Sequence, residues 1–429
     1  MAGEAPTASA RHLNEVDWGA IRSDYPALTG RAYLDTACKG IPSSRAATAI
    51  TDQLALLRES PSGSTTGETI GMLEQFGRAR AACAALIGAG SDEIALMPST
   101  EAGLAAVAAA LGLDPGTNVV ASDLEFVGTV LPWRSLERTG VQVKLVPHRD
   151  GRVDLDDFDA AMDRQTRAVV ISAVQEVNGF RTDLDELARL CRGRSVLLIV
   201  DAIQHIGPIG LDVGTTPIDA IAVGGHKWLC APFGMGFLYV SRRLVERLRP
   251  PSTAFMTAQP PSGEWGPYLE SPGRHPQDSL VFPRDARKLE LGGLGTTLAA
   301  GGLAAAVETL LHIGPQEIAA RSRQLTELTL GALRSAGAEI VTPESAPPSS
   351  IVTFRTAPDI EAERLLVERL SASRILTSLR FTTGVGGIRV SPYFYNDEDD
   401  IDRLATCVRG AIEQRRRARA RSRETVDPG

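Results

Sequence analysis

Short apolar runs recur along this chain from about residue 93 onward, and stretches with helical spacing separate them. The runs at 93–97, 118–121, 142–146, 168–173, 195–200, 218–223 and 236–240 predict strands. Between them, 101–111, 130–138, 155–162 and 183–191 predict helices. Strands that alternate with helices build βα units, so the expected large domain is α/β, a mostly parallel seven-stranded sheet wrapped by helices. Upstream, 16–25 predicts a short helix, 31–42 a short strand and turn, 60–67 an exposed Ser/Gly/Thr loop, and 70–88 a helix. Downstream, 250–283 is too rich in proline and glycine for a regular element and predicts a long functional loop. An Ala/Leu helix at 298–311 then leads into short strands at 339–341 and 351–355, a smaller C-terminal α+β domain. The implied division is a leader with a short helix at 1–30, a large domain at 31–297, a connecting helix and small domain at 298–414, and a basic tail at 415–429.

Composition narrows the function classes. At 429 residues, 43% hydrophobic and 23% charged, the chain suits one large domain and a smaller one. A net charge of −7 gives no overall basic field for nucleic acid. The Arg-rich stretch 415–423 reads as a solvated helix end that frays into a tail. Five scattered cysteines form no CxxC pair, which predicts reduced thiols in a cytoplasm and no zinc site. The N-terminus lacks the basic start and apolar core of a signal peptide, and no run of eighteen apolar residues predicts a membrane span.

The chemistry concentrates in two segments. Leu197-Leu-Ile-Val-Asp201 delivers a carboxylate at the end of an apolar strand, and Gly224-Gly-His-Lys227-Trp228 delivers a lysine after the next one. A lysine and an aspartate at neighbouring strand ends are what pyridoxal phosphate requires. The amine forms a Schiff base, and the carboxylate keeps the pyridine nitrogen protonated so that the ring accepts electrons. Taken with their order along the chain, these segments resemble the fold-type I pyridoxal-phosphate enzymes. Within these, they resemble the class V aminotransferase family, which includes cysteine desulfurases, isopenicillin N epimerase-like proteins and C–S lyases.

That resemblance assigns roles over roughly residues 30–410. It makes Lys227 the catalytic lysine and adds His226, beside it, to the cofactor set. It places Asp201 on the ring nitrogen and Gln204 on the ring's phenolic oxygen. Ser99, Thr100 and Glu101, where a strand gives way to an Ala-rich helix, supply hydroxyls and free amides for the phosphate. Thr296, in Leu294-Gly-Thr-Thr297, reaches the phosphate of a neighbouring subunit, which implies a homodimer with shared active sites. Arg389, in Arg389-Val-Ser-Pro-Tyr-Phe-Tyr-Asn396, takes the substrate's α-carboxylate, and Arg380, where relatives begin a mobile loop, also reaches the substrate.

Four departures bear on mechanism. Phe126 stands where desulfurases carry a ring-stacking, proton-carrying histidine; it can stack but holds no proton. Gly224 replaces a serine that often bonds the phosphate. Where relatives place an asparagine three before a glycine, this chain has Glu176-Val-Asn178-Gly179, so either Glu176 or Asn178 serves the cofactor. Residues 381–388 hold no cysteine, which removes the persulfide-forming thiol of the desulfurases. The expected activity is therefore action at Cα and Cβ of an α-amino acid with a large or unusual side chain. β-Elimination from a cysteine-type conjugate is the first choice. Transamination, epimerisation and decarboxylation are alternatives on the same scaffold, and a non-catalytic binding module is the alternative of a different class.

Overall fold

The computed structural model describes residues 16–61, 63–250, 258–290, 297–344 and 348–424. Its thirteen described strands, in chain order, are β1 (Ala32–Tyr33), β2 (Ile94–Met97), β3 (Asn118–Ser122), β4 (Gln142–Val146), β5 (Thr166–Ser172), β6 (Leu197–Asp201), β7 (Ala220–Gly224), β8 (Gly236–Val240), β9 (Glu339–Ile340), β10 (Val352–Arg355), β11 (Ile375–Leu376), β12 (Ser378–Thr382) and β13 (Val385–Val390). Seven form the central sheet in the order β2-β8-β7-β6-β5-β3-β4. All neighbouring pairs are parallel except those that β8 makes with β2 and β7.

Both faces of this sheet are covered, which explains strands that read as continuous apolar runs. Side chains alternate between two cores. Val120, Ile171, Leu198, Val200 and Ile221 join one; Val119, Val170, Leu197, Ile199 and Ala222 join the other. Burying each such side chain contributes about 1.5–3 kcal/mol. A one-residue slip would exchange the two sets, so register is tightly held. The consequence for function is directional. β2, β3, β5, β6 and β7 point the same way, and their carboxyl ends open along one edge, where ligands of such sheets bind.

The smaller sheet, β12-β13-β10-β9, has its own core that includes Leu34, Phe354, Ile388 and Leu404. β1 pairs with β11 of this region, not with the large sheet, so residues 32–33 belong by pairing to the C-terminal part. The N-terminal helix Trp18–Ser23 follows them, with Arg22 bonded to Asp400.

Several expectations need correction. A helix, Ser44–Glu59, precedes the predicted loop at 60–67, and a second, Thr65–Met72, begins inside it, with Ser64 as N-cap. The stretch 250–283 contains a helix, Trp265–Glu270, and a bridge between Gln259 and Val281, while residues 251–257 lie outside the described residues. The C-terminal helix runs unbroken over Glu398–Glu424, and Arg415 bonds Thr356 and the Ala362 carbonyl, so the expected tail at 415–429 continues a helix for most of its length. Among the described residues no single helix is long and apolar enough to cross a membrane, and no cluster could hold a metal ion.

Candidate active site

Lys227 follows β7, the neighbour of β6, which ends on Asp201. Its turn is fixed by close backbone approach: the Gly40 amide donates to the His226 carbonyl at 2.8 Å. A Cβ at Gly40 would lie 1.9 Å from the Lys227 carbonyl oxygen, so only glycine fits there. Burial holds the Lys227 ammonium below its ordinary pKa; Arg389 pushes the same way, while Asp201 and Glu176 oppose. A desolvated lysine among other cations is poised to be a neutral amine, the form that attacks a carbonyl carbon.

Asp201 closes β6, fully buried. One oxygen accepts from the Ile203 amide at 3.0 Å, the other from the Thr129 hydroxyl at 2.8 Å. Burial raises its pKa, and those two donors and Lys227 pull it back. Thr129 escaped sequence reading, although it sits in the Glu125–Trp133 segment already singled out. Glu125 escaped too. It is buried behind Asp201, accepts from the Ser172 amide (2.8 Å) and hydroxyl (2.5 Å) and from Gln175 (2.6 Å), and burial lifts its pKa to about 7.

The residues expected to meet the phosphate lie at the start of helix Thr100–Leu111. Ser99 is its N-cap, with its hydroxyl accepting from the Ala102 amide, and Glu101 adds an exposed carboxylate in the first turn. The Thr100 hydroxyl accepts from the Gly224 amide at 2.8 Å, which leaves its own proton free to donate. A Cβ at Gly224 would fall 3.1 Å from that hydroxyl and 3.0 Å from the Ile203 side chain. Gly224 therefore gives Thr100 the room that a serine would contest.

The remaining candidates divide. Gln204 is buried, with its amide donating to the Ala37 carbonyl and its oxygen accepting from Trp228. His226 stacks on Phe233 with ring centroids 4.9 Å apart. Phe126 is half exposed at the head of helix Val127–Arg134. Between Glu176 and Asn178 the geometry distinguishes clearly. Asn178 is committed to the backbone, donating to the Gly151 carbonyl and accepting from the Phe180 amide. Glu176 turns to Arg389, whose guanidinium donates to its carboxylate at 2.5 Å and to its carbonyl at 2.9 Å. Arg389 itself is buried on β13, with Asp35 at 3.6 Å on its other side. Arg380 donates to the Cys38 sulfur at 3.6 Å, so Cys38 joins this cluster. The mobile loop expected after Arg380 is instead a hairpin. β12 and β13 pair through Thr382 and Val385 around a two-residue turn, Thr383-Gly384, with φ of 50° and 80°. Thr296 lies outside the described residues.

A family model for class V aminotransferases matches residues 32–404. The chain belongs to the class V aminotransferase family. Its relatives include isopenicillin N epimerase from Streptomyces clavuligerus, 28% identical over 335 residues, covering 76% of this chain and 82% of that protein. A probable cysteine desulfurase from Methanothermobacter thermautotrophicus is 28% identical over 310 residues, covering 72% of this chain and 73% of that protein. Among solved structures, the cystine C–S lyase C-DES in complex with cysteine persulfide superposes with a TM-score of 0.79 at 21% identity, covering 90% of this chain and 99% of that one. A cysteine desulfurase from Escherichia coli gives 0.79 at 23% identity, covering 93% and 99%. This class V enzyme uses pyridoxal phosphate, and the residues present suit that cofactor. A buried amine, a buried carboxylate bonded to two donors, and a helix N-terminus with a free hydroxyl proton are brought to one sheet edge.

Proposed function

We propose that this class V enzyme is a β-eliminating lyase that cleaves a C–S bond at Cβ of an α-amino acid, releasing a thiol, pyruvate or its substituted analogue, and ammonia. Lys227 would hold the cofactor, Asp201 the ring nitrogen, and Thr100 with the adjoining helix amides the phosphate. Bound there, pyridoxal phosphate supplies an electron sink for the pair released at Cα. With substrate bound, the neutral Lys227 amine would take the Cα proton. Arg389 holds the substrate carboxylate, which sets which bond at Cα faces the lysine.

The observation that carries the choice of reaction is the aromatic Phe126, at the position where the resemblance to the desulfurases implies a histidine. Lys227 is then the one proton carrier this reading provides at Cα. A thiolate leaves without an acid to assist it, because a thiol's pKa of about 8.5 makes it a good leaving group at neutral pH. Epimerisation needs a proton on the opposite face, where phenylalanine offers none. The named activity of C-DES, a C–S lyase on the same fold, agrees with this reading. So does the absence of cysteine from 381–388, which removes the thiol that would retain sulfur. The working unit is a homodimer in the cytoplasm. Exposed Leu54, Leu56 and Leu57 on helix Ser44–Glu59 offer apolar surface for pairing, and all five cysteines are unpaired.

The test is to mix holoenzyme with an S-aryl cysteine and no keto acid and follow the cofactor's absorbance. Elimination returns the starting spectrum over many turnovers. Stoichiometric conversion of the cofactor to its amine form would establish transamination and reject the lyase.

A further inference from the structure

The guanidinium expected to receive the substrate's carboxylate already holds one. Arg389 is only 1% exposed, and its Nη1 donates to the Glu176 carboxylate at 2.5 Å and to the Glu176 carbonyl at 2.9 Å. Asp35 lies 3.6 Å from Nη2, and Asp35 in turn accepts from Ser378. The Arg389 Nε, also buried, has no partner. Glu176 is placed between two arginines, because Arg380 Nε stands 3.9 Å from the same carboxylate oxygen. Arg380 is on β12 and Arg389 on β13, paired across a tight hairpin, so the two guanidinium groups sit on one rigid element with Glu176 facing both.

We infer that Glu176 is a built-in stand-in for the substrate carboxylate, a specificity-determining residue that an incoming carboxylate displaces from Arg389 toward Arg380. This rests on the placement of the substrate carboxylate at Arg389 proposed above. Two carboxylates cannot share the same guanidinium edge without repulsion, so substrate binding and Glu176 at Arg389 are mutually exclusive. Arg380 is the receiver that keeps the displaced carboxylate paired with a guanidinium; without it, Glu176 would be left partly buried and short of that partner. The exchange raises the threshold for every carboxylate ligand. Small amino acids, with little else to bind, are discriminated against. Substrates whose side chain adds contacts elsewhere overcome the threshold, which fits a bulky conjugate.

The experiment is calorimetric titration of the holoenzyme with propionate, a bare carboxylate, and with propionamide, its neutral isostere. Glu176→Gln keeps the size of the side chain and an acceptor for Arg389 while removing the charge. The variant is expected to bind propionate at least about tenfold more tightly than wild type, the scale of one charge-assisted hydrogen bond, with propionamide affinity unchanged. Arg380→Ala is expected to weaken propionate binding in the wild-type background and to have far less effect beside Glu176→Gln, since the receiver matters only when there is a charge to receive. Unchanged or weaker propionate binding in Glu176→Gln, while Arg389→Lys weakens wild-type binding, would overturn the stand-in and leave Arg389 as the carboxylate site. If Arg389→Lys also changes nothing, the carboxylate does not bind at Arg389, and both the stand-in and that placement fall.

Discussion

Glu125 stores a pH-dependent cost beneath the active site. It is fully buried next to Asp201, and desolvation lifts its pKa from 4.5 to about 7 despite donors from Ser172 and Gln175. Because the folded value lies above the unfolded one, the native state keeps this proton after the unfolded chain has lost it. Its contribution to stability is complete below about pH 4.5 and is lost as the pH rises through about 7. The displacement from 4.5 to about 7 corresponds to about 3 kcal/mol. Glu125→Gln removes the titration at nearly constant volume. Its new N–H group also finds a partner, because the Gln175 oxygen is buried without one and a turn of that amide would present it. Melting of the holoenzyme, followed by tryptophan fluorescence from pH 5 to 8.5, compares the two proteins. For a chain of this size about 3 kcal/mol shifts the midpoint by about 3 °C. The variant should gain that much on wild type between the acid and alkaline ends. A difference between the two curves that does not change with pH would refute the argument.

Other perturbations probe the neighbouring contacts. Thr129→Val strips one donor from buried Asp201 and is expected to cost about 1–3 kcal/mol of cofactor affinity, read as a hold on the cofactor about five- to 150-fold weaker after dilution. Gly40→Ala drives a methyl into the Lys227 carbonyl and should misplace the lysine, abolishing the yellow holoenzyme; a normally coloured variant would contradict the close approach. Phe126→His introduces a group that titrates near pH 6.5, and turnover should acquire a new inflection there with Cα hydrogen exchange in recovered substrate.

Much of the architecture was legible because most strands of the large sheet are short apolar runs, set apart by segments with helical spacing. The segments 142–146 and 236–240 coincide with β4 and β8, and Asp201 stands at the end of β6 as its pattern implied. Helix Ser44–Glu59 was missed because its apolar residues do not form one clean stripe: Leu54, Leu56 and Leu57 are exposed in this chain. The hairpin at 378–390 was hidden because Thr383-Gly384 is an unusual pair for its turn, with a threonine at positive φ. Within the site, strand-end residues could be named from local spacing. The partners that tune them come from distant segments: Thr129, on helix Val127–Arg134, reaches Asp201 across 72 residues, and Glu176, in the turn after β5, reaches Arg389 across 213. No periodicity encodes such pairings; they arise only when the strand ends are assembled along one edge.

Thiol elimination driven by Lys227 leaves a fixed product ratio. The most direct measurement is the molar balance of thiol, keto acid and ammonia released from an S-aryl cysteine by the holoenzyme, alongside Lys227→Ala. Equal amounts of all three are expected, over many turnovers, and none from the variant. Keto acid without thiol, or release that survives loss of Lys227, would contradict that elimination.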